Sequence, residues 1–165
     1  MKNFAADTGP LLHLEQAGLL DLLAGMGRVF TTSAVIDEWR RLGVSETPKW
    51  LTVEPVSANA SAVTGSWIRS GLLHKGEAEV LAVACELKTV GFLTDDAAAR
   101  EMASALGFEV RGSLGVVLGA ASRGLLKGEN AFAALDAMQS RSTLWLSARV
   151  RREAHAALRR ILENQ

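Results

Sequence analysis

The chain lacks any net charge: Lys plus Arg number 18 and Asp plus Glu number 18 across 165 residues. A global positive field that would draw nucleic acid to a whole surface is therefore excluded, and any phosphate contact has to come from a local basic patch. The sequence holds a single cysteine, Cys85, which excludes an intramolecular disulfide and suits a reducing compartment. Cys85 stands inside the apolar run 80–85 and is expected to be a small buried residue rather than a reactive thiol. No apolar run approaches the ~20 residues of a membrane span, and the start carries Lys2 without a long apolar segment. A cytoplasmic chain with no membrane partner is the expectation. Internal repeats and low-complexity linkers are absent too. With 48% of residues apolar and 22% charged, the composition excludes a disordered chain and predicts one domain over residues 1–165.

What is present is an alternation of strands and helices. Segments 3–6, 29–32, 50–55, 90–94 and 108–111 read as strands, and Pro55 makes the third an edge strand. Leucines 11 to 23 have helical spacing with a break at Gly18, and Ser33 is placed to cap a helix over 34–41. Further helices are predicted over 58–70, 76–88 and 96–106, then over about 114–123, 130–139 and 147–163. This order predicts an α/β fold with a mainly parallel sheet and C-terminal helices.

The acidic residues fall at the junctions of these elements. Asp7 follows the first strand and the pair Asp95–Asp96 follows the fourth. In a parallel sheet both positions lie at the carboxyl edge, where sites form. Glu77 opens a helix whose positions 77, 80, 81, 84 and 88 share a face, which puts its carboxylate at the rim of the core. Glu38 lies in the helix after the second strand. A carboxylate at such a place is costly to desolvate unless it is hydrogen-bonded, paired or bound to a cation. Each acid also has an ordinary role to weigh: Asp7, Asp95 and Asp96 as N-caps, Glu77 as a charge complementing its helix dipole, Glu38 as a solvated side chain. Several of them converging would suit a hard cation such as Mg2+ or Mn2+ and phosphodiester chemistry. His13, His74 and His155 are rivals as base or ligand, but none lies at zinc spacing from another His or Cys.

The ordered set of motifs resembles the PIN-domain nucleases, in particular the VapC-like prokaryotic branch. The matching pieces are Asp7-Thr8-Gly9-Pro10-Leu11-Leu12, then Thr32-Ser33-Ala34-Val35-Ile36-Asp37-Glu38, then Gly76-Glu77-Ala78-Glu79. They continue with Leu93-Thr94-Asp95-Asp96-Ala97-Ala98-Ala99-Arg100, Leu106-Gly107-Phe108-Glu109-Val110 and Gly112-Ser113-Leu114-Gly115-Val116-Val117. The resemblance covers residues 3 to about 126, with the helices beyond it resembling a variable end. It implies a PIN-like three-layer α/β/α fold and metal-site acids at Asp7, Glu38, Glu77 and Asp96, with Asp95 a close fifth because the pair leaves the register open by one residue. Thr8 and Thr94 are implied as hydroxyl supports. The sequence departs from the family in Ala5 and Ala6, where larger residues are usual, and in Glu77, where Asp is commoner.

The activity so implied is a Mg2+- or Mn2+-dependent endoribonuclease, the toxin of a toxin–antitoxin pair, dimeric and held inactive by a small antitoxin protein. An inactive PIN-fold binding module is the alternative. A haloacid dehalogenase-type phosphatase is disfavoured, since it needs a second Asp where Gly9 stands. For the RNA, His74 and Lys75 just before Glu77 are candidate contacts. So are Arg149 and Arg152 in the arginine-rich last helix, although a solvated helix face accounts for those charges equally. Trp39, Trp50, Trp67 and Trp145 are expected in the core or at an interface.

Overall fold

The computed structural model describes residues 2–44 and 46–164. Its strands are β1 (Asn3–Ala6), β2 (Arg28–Thr32), β3 (Leu51–Glu54), β4 (Gly91–Leu93) and β5 (Glu109–Arg111). They form one sheet in the order β3-β2-β1-β4-β5, and every pairing is parallel. The sheet is thus wholly parallel rather than mainly so, with β3 on an edge. Its middle strands are buried on both faces, which is why β1 and β4 read as short apolar runs without alternation: Phe4, Ala5, Ala6, Phe92 and Leu93 are all inaccessible.

Helices fill the crossovers: α1 (Thr8–Gln16), α2 (Ser33–Arg41), α3 (Ala58–Arg69), α4 (Lys75–Leu87), α5 (Ala97–Ala105), α6 (Ser113–Ser122), α7 (Gly128–Arg141) and α8 (Ala148–Glu163). From β1 the chain steps outward through β2 to β3, then returns past β1 to β4 and β5. In the sheet β2 and β3 lie on one side of β1, and β4 and β5 lie on the other. The direction of winding therefore reverses between β1 and β4, which stay paired up to their carboxyl ends. That switch point is where an open α/β sheet has its crevice.

Three local expectations change. Thr32, not Ser33, occupies the N-cap of α2, and its buried hydroxyl takes no hydrogen bond. Cys85 is exposed, not buried. Residues 80–84 of α4 cover the sheet, whereas 85–88 run past it into solvent. Burial of part of the thiol and the Glu86 carboxylate push its pKa up, so it stays protonated and unreactive. Of the tryptophans, Trp39 is fully buried and Trp50 and Trp67 pack on the core, but Trp145 is 83% exposed.

The C-terminal helices belong to the same core. Leu135 and Met138 of α7 and Leu158 of α8 are completely buried in one cluster with Leu11 and Leu14 of α1 and Val116 and Val117 of α6.

Candidate active site

Register builds the site. Ala6 pairs with Leu93 across β1 and β4, so the next residues, Asp7 and Thr94, emerge side by side at the switch point. The Asp7 N–H donates to the Leu93 carbonyl at 2.9 Å. Asp7 is the N-cap of α1 and its Oδ1 accepts the Thr8 N–H at 2.7 Å. Its Oδ2 accepts from the Thr94 hydroxyl at 3.1 Å, and Thr94 Oγ1 in turn accepts the Asp96 N–H at 3.1 Å. On the other side the Thr8 hydroxyl donates to Glu38 Oε2 at 2.8 Å. The two threonines thus tie Asp7 to Glu38 and to the turn that carries Asp96.

Around Asp7 lies a cleft of about 340 Å3 lined by Glu38, Glu77, Asp95 and Asp96, with His13 and His74 beside them. Glu38 comes from α2 and Glu77 from the first turn of α4, where its Oε2 accepts the His74 N–H at 2.9 Å. Asp96 caps α5 through Oδ1, which accepts the Ala99 N–H at 2.8 Å. Asp7 is 5% exposed. Burial pushes its carboxyl up to about 7, against the Thr8 N–H bond, and the nearby Glu77 and Glu38 carboxylates push it the same way. Several acids facing one buried carboxyl raise the cost of ionising it, and that cost falls when a cation shares the cleft.

Asp95 is committed elsewhere. Its carboxylate accepts from His13 Nδ1 at 2.7 Å, from the Ser113 N–H at 2.7 Å and from the Ser113 hydroxyl at 2.5 Å. Burial raises its pKa, but the bonds from His13 and Ser113 outweigh that, and the group lies below the ordinary carboxylate value. Asp95 therefore clamps α1 and the start of α6 onto the end of β4. Gly112 makes this approach feasible: a Cβ there would stand 2.7 Å from both Asp95 Oδ1 and the Arg100 guanidinium.

As a donor set these oxygens suit a hard divalent ion. Among the described residues, no three His, Cys, Asp or Glu side chains converge closely enough to hold an ion as they stand. The chemistry fits, since Asp7, Glu38, Glu77 and Asp96 bring carboxylate oxygens to one cleft.

Of the residues singled out for substrate, His74 lines the cleft, while Lys75 lines the adjoining groove with Arg40 and Arg41. Arg149 and Arg152 do not line the cleft: Arg149 pairs with Glu153 within α8, and Arg152 lies in a separate groove with Gln139 and His155. Two supporting roles carry no local signal in the sequence: that of Ser113, and that of His13, which the sequence offers only as a rival base or ligand. His13 and Ser113 act through Asp95, at sequence separations of 82 and 18 residues. The segment Thr143-Leu144-Trp145 closes one wall of the cleft.

A wholly parallel sheet with an acid cleft at its switch point defines an α/β protein with a candidate site for a divalent cation. A family model described as a PIN domain matches residues 3–160, and the chain belongs to the PIN-domain family. PIN domains are generally nucleases that act on nucleic acids with divalent metals. The match runs well past residue 126, in keeping with the burial of α7 and α8. No curated protein matches the chain.

Proposed function

We propose that the protein is a Mg2+- or Mn2+-dependent endoribonuclease working as one domain, with Asp7, Glu38, Glu77 and Asp96 as the metal-site acids. The observation that carries this reading is the buried Asp7 carboxyl, raised to about 7 and surrounded by acids brought from α2, α4 and the β4–α5 turn. A divalent ion held by these carboxylates supplies Lewis acidity and positive charge against the scissile phosphate. Asp7 is the fixed anchor, oriented by Thr8 and Thr94. Asp96, with one oxygen spent on capping α5, offers the other for the metal or for a proton from the attacking water. Asp95 positions His13 and Ser113 and supports the cleft without being a primary ligand. His74 and Lys75 reach the RNA from the start of α4, and Arg149 and Arg152 bind flanking phosphates at most.

The resemblance to VapC-like proteins extends the proposal to a cytoplasmic toxin, homodimeric and neutralised by a small antitoxin protein. The test is cleavage of a mixed cellular RNA pool by the purified chain with Mn2+, beside Asp7→Asn. Discrete fragments are expected only with metal and native Asp7; equal cleavage by the Asn variant would remove the acid cleft from the mechanism.

A second reading is a PIN-fold binding module without hydrolysis, in keeping with carboxylates that, among the described residues, do not gather three to one point. Calorimetric titration with Mn2+ separates the two, since a pure binding module has no saturable metal site.

A further inference from the structure

Trp145 is 83% exposed, although an indole is the side chain with the most apolar area to hide. Its exposure is imposed by the backbone around it. Thr143 donates its N–H and its hydroxyl to Gln16 Oε1 at 2.7 and 3.0 Å. Leu144 packs on the core, and Ser147 caps α8 by accepting the Val150 N–H at 3.2 Å. Between these anchors burial alternates, with Leu144 and Leu146 half-buried and Thr143 and Trp145 exposed, so Trp145 is turned outward. The ring is therefore presented on a segment pinned at both ends.

Its position gives that presentation a use. Trp145, Leu144 and Asp95 line both the acid cleft and a neighbouring groove of about 410 Å3 that holds Arg100 and Arg111. Arg111 is neutralised by Glu109. Arg100 donates to the Thr94 carbonyl at 3.0 Å, and among the described residues no carboxylate pairs with it. An aromatic face thus stands between an acid cleft and a guanidinium that makes no direct ion pair among the described residues. That order of groups along two adjoining grooves suits a strand whose scissile phosphate lies at the acids, whose next base stacks, and whose following phosphate meets a cation.

We infer that Trp145 and Arg100 form a subsite for single-stranded RNA beside the acid cleft: Trp145 stacks a base next to the scissile bond, and Arg100 takes the adjoining phosphate. The choice of RNA as the strand rests on the nuclease reading above; the stacking platform does not. Base stacking on an aromatic face tolerates any base, so the subsite positions the strand without selecting sequence.

The test is titration of an Asp7→Asn background with a short fluorescent single-stranded oligoribonucleotide. Adding Trp145→Ala is expected to weaken binding about tenfold or more, and Trp145→Phe to restore much of the loss. Arg100→Ala is expected to lower the dependence of log K on log salt by roughly one phosphate contact, a slope change of about 0.7 for a single strand. Circular dichroism confirms that each variant is folded. Unchanged affinity in Trp145→Ala would overturn the subsite, as would loss of a dimer by sedimentation with RNA affinity intact, which assigns the ring to a protein interface. Cleavage by the native chain is read separately, so either reading can fail while the other stands.

Discussion

Asp7 sets the protein's stability against its chemistry. Its folded pKa, about 7, lies above the value of about 4 expected in the unfolded chain. The folded state therefore binds the extra proton between those values, and stability falls as pH rises from about 4 through 7. In metal-free protein that loss should reach a few kcal/mol by pH 8. Asp7→Asn should abolish the slope and be the more stable form at pH 8 in denaturant melts, while Mn2+ should restore the native protein by binding its folded state. The adjacent pair separates two roles. Asp95→Asn presents amide hydrogens where Ser113 and His13 donate, and should cost about 1–3 kcal/mol by urea unfolding. Asp96→Asn keeps a good helix cap, so its melt should hardly move while its cleavage rate collapses. An Asp96→Asn enzyme with full activity would refute the ligand assignment.

At the scale of elements, the start of α6 governs the cleft. Gly112 has an ordinary extended backbone and is needed for space alone, since a Cβ would run into Asp95 and Arg100. Gly112→Ala should cost about 1–3 kcal/mol and shift the His13 resonances, because the Asp95 carboxylate has to back away. The elements themselves were largely readable from the sequence, since a strand buried on both faces and a helix with leucines at helical spacing each carry a local signature. The acids after β1 and β4 were readable for the same reason: a carboxylate next to an apolar run is conspicuous. The duty of Asp95 was not, because its partners lie on α1 and α6 and nothing local distinguishes it from Asp96. Trp145, expected in the core or at an interface, is held out of the core by two anchored neighbours, which no local pattern shows. Cys85 was misjudged because periodicity does not show where a helix overruns its sheet.

Across the whole molecule, α7 and α8 complete the core. Leu158 is fully buried where α8 packs on α6 and α7, so Leu158→Ala should cost about 2–5 kcal/mol and lower Tm by roughly 5–15 °C. Truncation after Gly124 should leave an unfolded chain rather than a weaker RNA binder. The order β3-β2-β1-β4-β5 has a further consequence in time. A chain emerging from the ribosome can pair β1 with β2 early, but the other edge of β1 waits for β4, almost ninety residues later. Until then Asp7 faces no Thr94 and no Asp96, and the wall bearing Trp145 is still to be synthesised. The acid cleft therefore cannot take shape until most of the chain has been made.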